Sequence, residues 1–251
     1  MNLMLRAKYS NSKDFYHLIN AMSKLSDTII LNFTKDGINS KYLTEDKILM
    51  GILNLPKDVL EEYEIEKEMS VKLDLNYVKK FLGKARSSKS SVEITETDAG
   101  IKITIVDNKT GTKSNIYVKG EKGEPQPLKE PNVSLPVLAT LPGDVFKTVI
   151  DDAETIGEEV IIEAEEDSVK ISAEESGKSY TAILRRDKPI TDLSIDKPSK
   201  SAYSLEVLKT AASVSSFTDN LRMGFGSNLP LKLEASGENG ASLIFWVAPR
   251  I

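Results

Sequence analysis

The sequence predicts an α+β fold written twice, as two topologically equivalent domains. Three observations carry this. Each half opens with apolar residues at helical spacing, follows them with short alternating strands, and repeats the other half at an offset of 130–131 residues.

Phe15, Leu18, Ile19, Met22 and Leu25 recur at i, i+3, i+4, i+7 and i+10, one stripe of an amphipathic helix. From Asp27 to Phe33 the pattern becomes that of a strand, and Lys35-Asp-Gly37 is a turn signal. A second helix is expected from Asp74 to Arg86, with Leu75, Val78, Phe81, Leu82 and Ala85 on one side. Strands Val92–Glu96 and Ile101–Ile105 flank a turn at Asp98-Ala-Gly100. At an offset of 131, the first stripe falls on Phe146, Val149, Ile150, Ala153 and Ile156, and Thr28–Ile38 falls on Glu159–Val169. At 130, Leu75–Lys79 falls on Leu205–Lys209 and Ile101–Ile105 on Leu231–Ala235. Further helices are therefore expected at about 142–157 and 204–216.

The segment from Lys119 to Pro131 interrupts the pattern. Its two glycines, three prolines and alternating charges suit neither a helix nor a central strand. It reads as an extended, partly solvated connector with one apolar residue, Leu128. The expected organisation is a first domain at 1–118, a connector at 119–131 and a second domain at 132–251.

Composition excludes several function classes. Among 251 residues, 38 acids and 33 bases leave a formal charge of −5, so the chain is not a uniformly basic nucleic-acid binder. It has no cysteine, which removes disulfides, thiolate metal sites and cysteine nucleophiles. The single histidine, His17, sits in the first helical stripe and reads as structural or surface. No apolar run approaches the ~18 residues of a spanning helix, and the N-terminus lacks the pattern of a signal peptide. A cytosolic or nuclear protein with no membrane partner is expected.

No catalytic constellation emerges, and no metal or cofactor is expected. Gly224-Phe-Gly226 lacks the third glycine of a dinucleotide fingerprint, and Leu82-Gly-Lys84 lacks the flanks of a P-loop. The acids Glu165-Glu-Asp167 coincide with the repeated turn. The chain reads as no enzyme.

Charge distribution says more than its sum. Between Asp74 and Lys89 lie Lys79, Lys80, Lys84, Arg86 and Lys89 against one acid, a net +4. Lysines on a helix face neutralise phosphates without reading sequence. Lys13 and Lys24 add to this more weakly. No aromatic interleaving suggests base stacking, so any DNA contact would be non-specific.

Two near-equal repeats, the long connector, Leu141-Pro142, Leu229-Pro-Leu231 and the terminal Phe245-Trp-Val-Ala-Pro-Arg-Ile251 together resemble the DNA sliding clamp family of proliferating cell nuclear antigen, archaeal members above all. The resemblance covers essentially the whole chain. It implies a trimeric ring of pseudo-six-fold symmetry with helices lining the hole and sheets outside, a processivity factor that encircles duplex DNA. In that arrangement Lys13, Lys24, Lys79, Lys80, Lys84, Arg86, Lys147 and Lys209 would face DNA. A pocket for a short partner motif would involve Leu43, Met50, Leu128, Pro131, Pro230, Trp246, Ala248 and Pro249. Edge strands at Lys113–Lys119 (Lys113, Ile116, Val118) and Lys178–Arg186 (Tyr180, Ala182, Leu184) would join subunits. Implied partners are other clamp subunits, DNA polymerase, flap endonuclease, DNA ligase and an ATP-dependent clamp loader. An archaeal member would be cytoplasmic and nucleoid-associated, a eukaryotic one nuclear.

One departure stands out. From Pro142 to Glu159 the acids Asp144, Asp151, Asp152, Glu154, Glu158 and Glu159 face Lys147 alone, six against one or −5, where the family usually carries bases. Glu206 and Ser213 also occupy places where bases are expected. A mixed ring, with paralogues supplying positive charge, is the reading this favours. A checkpoint-type clamp and a peptide-binding scaffold without DNA remain as alternatives.

Overall fold

The computed structural model describes residues 5–84, 87, 89–237 and 240–251. Two compact units emerge: Met1–Tyr42, Ile52–Lys129 and Gly237–Ser242 form the first, and Leu43–Gly51, Glu130–Ser236 and Leu243–Ile251 the second.

In the first half the chain runs β1 (Leu5–Tyr9), α1 (Ser12–Ser23), β2 (Thr28–Thr34), β3 (Gly37–Leu43), β4 (Leu49–Pro56), β5 (Glu62–Ile65), β6 (Met69–Asp74), α2 (Leu75–Lys84), β7 (Ser90–Thr97), β8 (Gly100–Asp107), β9 (Lys113–Lys119) and β10 (Glu121–Gly123). Its strands are ordered β5-β1-β7-β8-β9 and β10-β6-β2-β3-β4. Helix α1 forms where the stripe predicts. The Asn11 side chain accepts hydrogen bonds from the backbone N–H groups of Lys13 and Asp14, each at 3.1 Å, satisfying donors a helix start leaves open. Phe15, Leu18, Ile19 and Met22 are buried, and α1 packs on α2, β2 and β7. Gly37 closes the β2–β3 hairpin at φ 136°, and a Cβ there would lie 2.1 Å from the Leu55 carbonyl oxygen. Only glycine fits that approach.

The second half repeats this plan: β11 (Val137–Pro142), α3 (Gly143–Glu154), β12 (Glu159–Glu165), β13 (Ser168–Glu175), β14 (Lys178–Arg186), β15 (Pro189–Ile190), β16 (Asp192–Ile195), β17 (Ser199–Ser204), α4 (Leu205–Ala211), β18 (Asn220–Phe225), β19 (Leu231–Ser236) and β20 (Ser242–Val247). Shifting α1 and β2 by 131 residues reproduces both ends of α3 and β12, and shifting β6 by 130 reproduces β17. The strand order β16-β11-β18-β19-β20 answers β5-β1-β7-β8-β9, and β17-β12-β13-β14 answers β6-β2-β3-β4. The fold is α+β with two topologically equivalent units, as the repeat predicts.

Three elements differ from expectation. Helix α3 ends at Glu154, so Glu158 and Glu159 lie beyond it and its own charge is −3: four acids against Lys147. Thr155 Oγ1 donates to the Asp152 carbonyl at 2.7 Å, and Gly157 follows. Helix α4 has only seven residues and tightens into a 3₁₀ turn at Ala212–Ser216. There Ser215 Oγ donates to the Ala212 carbonyl at 2.7 Å, a local bond that competes with the α-helical ladder. Helix α2 begins one residue later than expected, and Ala85 and Arg86 lie outside the described residues.

The connector is not wholly solvated. Glu121–Gly123 adds to β6 as an edge strand, with Glu121 opposite Lys72. Lys122 pairs with Glu96 at 2.8 Å, and the Gln126 N–H donates to the buried Asn32 side chain at 3.1 Å. Gly120 lets the chain approach β6, since a Cβ there would meet Val71 Cγ1 at 2.5 Å.

Candidate functional site

Helix α2 buries Leu75, Val78 and Leu82. Its polar side carries Lys79, Lys80 and Lys84 and no acid, a local charge of +3. Lys80 and Lys84 are exposed and Lys79 is half-buried. Lys13 on α1 and Lys24 at its C-terminal cap are exposed. Among the described residues none of these five is salt-bridged to a carboxylate. Arg86 lies outside the described residues.

The second unit treats its candidate bases differently. Lys147 Nζ is held by Asp151 Oδ2 at 2.6 Å, one turn along α3. Lys209 Nζ, on α4, reaches Glu154 Oε2 of α3 at 2.6 Å. The Glu154 carboxylate holds the Lys209 ammonium above the ordinary lysine pKa, with Asp151 adding to the effect. Both cations are thus matched by acids of the same helix, while Asp144 and Asp152 remain. Glu206 leaves α4 itself neutral.

Sequence reasoning missed Tyr77. This residue is 56% exposed on α2, one turn from Lys80. The signal was available: position 77 falls outside the stripe formed by 75, 78 and 82. His17 is half-buried on α1, with the Tyr16 ring 5.4 Å away.

Of the expected pocket residues, Leu43, Met50, Pro131, Pro230, Trp246, Ala248 and Pro249 belong to the second unit and Leu128 to the first. Leu43 and Leu128 are exposed for apolar side chains, at 41% and 38%. A tight loop presents Leu43 and Ile48: Thr44 Oγ1 donates to Asp46 Oδ1 at 2.6 Å, and the Thr44 N–H reaches the Leu49 carbonyl at 2.9 Å. The C-terminal segment is fixed beside this loop by the Ala248 N–H, which donates to the Ile48 carbonyl at 2.8 Å. Met50, Pro131, Pro230, Ala248 and Pro249 are half-buried, and Trp246 is buried.

Two polar residues that the sequence did not single out surround Trp246. Its indole N–H donates to Glu130 Oε1 at 3.1 Å. The Lys232 ammonium bonds the same oxygen at 2.8 Å, reaches Glu234 at 3.4 Å and lies 5.4 Å from the centre of the indole ring. Burial pulls the Lys232 pKa down, but Glu130 and then Glu234 outweigh it and hold it above the ordinary lysine value. Glu130 and Trp246 are 116 residues apart, a distance that no local pattern bridges.

The expected subunit edges are strands with the expected bounds. β9 is the last strand of its sheet, with Ile116 and Val118 buried against its own unit and Lys113 and Tyr117 exposed. β14 pairs with β13 along its length, but β15 covers only Arg185 and Arg186. From Lys178 to Leu184 its other side is open among the described residues. Leu184 is buried, Tyr180 and Ala182 are half-buried, and Ile183 is 52% exposed. By internal repetition the equivalents of β14 and β9 are β4 and β20.

Among the described residues no helix is long and apolar enough to cross a membrane. The family model for the N-terminal domain of proliferating cell nuclear antigen matches residues 4–119. A relative from Sulfurisphaera tokodaii, DNA polymerase sliding clamp 2, is 49% identical over 248 residues, covering 99% of this chain and 100% of the relative. DNA polymerase sliding clamp 1 of Saccharolobus solfataricus is 48% identical over 249 residues, with the same coverage. Proliferating cell nuclear antigen from Thermococcus kodakaraensis shares the fold, with a TM-score of 0.89 at 19% identity over 98% of this chain and 100% of that one. With near-half identity extending from end to end, the chain belongs to the DNA polymerase sliding clamp family, that of proliferating cell nuclear antigen.

Proposed function

We propose that this chain is a subunit of a DNA polymerase sliding clamp, a ring that encircles duplex DNA and tethers replication and repair proteins to it. The observation that carries this is near-half identity, over the full length, to proteins named as such clamps. The role is one of binding and not of catalysis. The internal repeat is the basis for reading two domains, residues 1–118 and 132–251, joined by the connector at 119–131, with Leu43–Gly51 and Gly237–Ser242 each grouping with the opposite compact unit.

Closure of a ring needs two complementary edges per subunit. The open strands β9 and β14 supply them. Open strand edges otherwise invite aggregation, and a closed ring removes them. Topological linkage also suits an acidic protein, because weak and mobile phosphate contacts are then enough.

Those contacts come from the first domain: Lys13, Lys24, Lys79, Lys80 and Lys84, with Arg86 as an expected sixth. The acidic α3 and its paired Lys147 and Lys209 leave the second domain little to offer DNA. This favours a heteromeric ring in which other subunits carry more of the positive charge, and relatives numbered 1 and 2 suit such a set of paralogues. Partners with a short apolar motif, namely DNA polymerase, flap endonuclease and DNA ligase, dock around Leu43, Met50, Leu128, Pro131, Pro230, Trp246, Ala248 and Pro249, and an ATP-dependent loader opens the ring.

Light scattering over a concentration series tests the assembly. The expected result is a monomer or dimer alone, and a species of about three subunit masses once paralogues are added. A stable homotrimer would contradict the heteromeric ring, and failure to join any larger ring would contradict the clamp.

A further inference from the structure

We propose that Glu130 and Lys232 form a charge latch that positions Trp246 for partner binding. The inference rests on the partner-pocket reading above and deepens it by assigning two positioning residues.

The latch has one hub. Indole has a single N–H, and a buried tryptophan needs an acceptor for it. Glu130 supplies a charged one at 3.1 Å, from the last residue before Pro131. A residue that precedes proline is held in extended backbone, which limits the ways in which this carboxylate can leave. The same Glu130 oxygen anchors Lys232 at 2.8 Å, and Glu234 holds that ammonium from a second side at 3.4 Å. The ammonium lies 5.4 Å from the ring centre, within range of a cation–π contact. Three side chains from the connector, β19 and β20 therefore fix one another through one carboxylate. Loss of that side chain frees the indole N–H and the ammonium together.

The arrangement is poorly explained as a device for stability. The Lys232 and Glu130 side chains are 26% and 37% exposed, and ion pairs at such exposure add little to folding. Its effect is local and falls on the aromatic floor of the proposed pocket.

Trp246 is the only tryptophan of the chain, so emission reports on this site alone. The full-length chain is titrated with a synthetic peptide copying the clamp-binding motif of a flap endonuclease, for wild type, Glu130→Gln, Glu130→Ala and Lys232→Met. Glu130→Gln keeps an acceptor for the indole but drops the charge, whereas Glu130→Ala removes both. Emission is expected to shift in all three variants, to the red in Glu130→Ala as the indole N–H turns to water. Peptide affinity is expected to fall in the order wild type, Glu130→Gln, Glu130→Ala, with a loss of about three- to tenfold at the end of the series, the effect of one net hydrogen bond. The thermal midpoint should stay within about 2 °C.

Emission of Glu130→Ala that superimposes on wild type overturns the latch. So does shifted emission with unchanged peptide affinity, provided Leu128→Ala and truncation after Phe245 still weaken binding, and the pocket then survives alone. If those two changes also leave affinity untouched, the pocket reading fails and the latch falls with it.

Discussion

Gly37 and Tyr203 show how single residues constrain each unit. At Gly37 both the φ of 136° and the approach of the Leu55 carbonyl exclude a Cβ. Gly37→Ala is expected to cost about 1–3 kcal/mol, read as a lower midpoint in denaturant unfolding. Tyr203 is fully buried, and its hydroxyl donates to the Leu229 carbonyl at 2.7 Å. Tyr203→Phe leaves that carbonyl without this donor and should cost about 1–2 kcal/mol. Burial pushes the Tyr203 phenol from 10.0 up to about 12. Because the neutral form is the one that the fold favours, its contribution is complete below pH 10 and is lost as pH rises through about 12. Burial also raises the Tyr63 phenol, whose hydroxyl donates to the Thr34 carbonyl at 2.6 Å. Stability should therefore decline in alkali, and Tyr203→Phe should flatten part of that decline in thermal unfolding measured from pH 9 to 12.

The helices show both the reach and the limit of a sequence reading. The stripe at 15, 18, 19 and 22 located α1 and, through the repeat, α3, because burial of one helix face imposes a period visible in the chain. The bounds of β9 and β14 follow from the family resemblance, and the alternation of their residues agrees with it. The end of α3 was not legible, since the acids Glu158 and Glu159 continue the charge pattern after the helix has stopped. Nor was the fate of its bases: Lys209 meets Glu154 across 55 residues, and the Glu130–Trp246 bond spans more than twice that. Pairing at such range depends on tertiary placement, which periodicity does not encode. The consequence is an asymmetry between α2 at +3 and α3 at −3. In clamp assembled on DNA, Lys80→Ala with Lys84→Ala should lower the log–log salt slope by up to ~0.9 per lost phosphate contact. Lys209→Ala should leave it unchanged, because Glu154 already neutralises that lysine. Glu154→Gln releases Lys209 and should strengthen DNA retention at low salt. Equal effects from Lys80 and Lys209 would remove the asymmetry.

At the scale of the whole molecule, duplication explains the economy of the design. One domain plan, used twice, leaves an open strand edge on β9 and another on β14 among the described residues, and these are the edges that the proposed ring would use. Membership in the sliding clamp family rests on identity across the full length, and encirclement of DNA is the central claim about function. The most direct measurement is retention of the labelled chain on nicked circular DNA after loading by the ATP-dependent loader, with paralogue subunits present, before and after a single restriction cut. The account predicts retention on the circle through a high-salt wash and rapid loss once the DNA is linear. Equal retention on circular and linear DNA would contradict it.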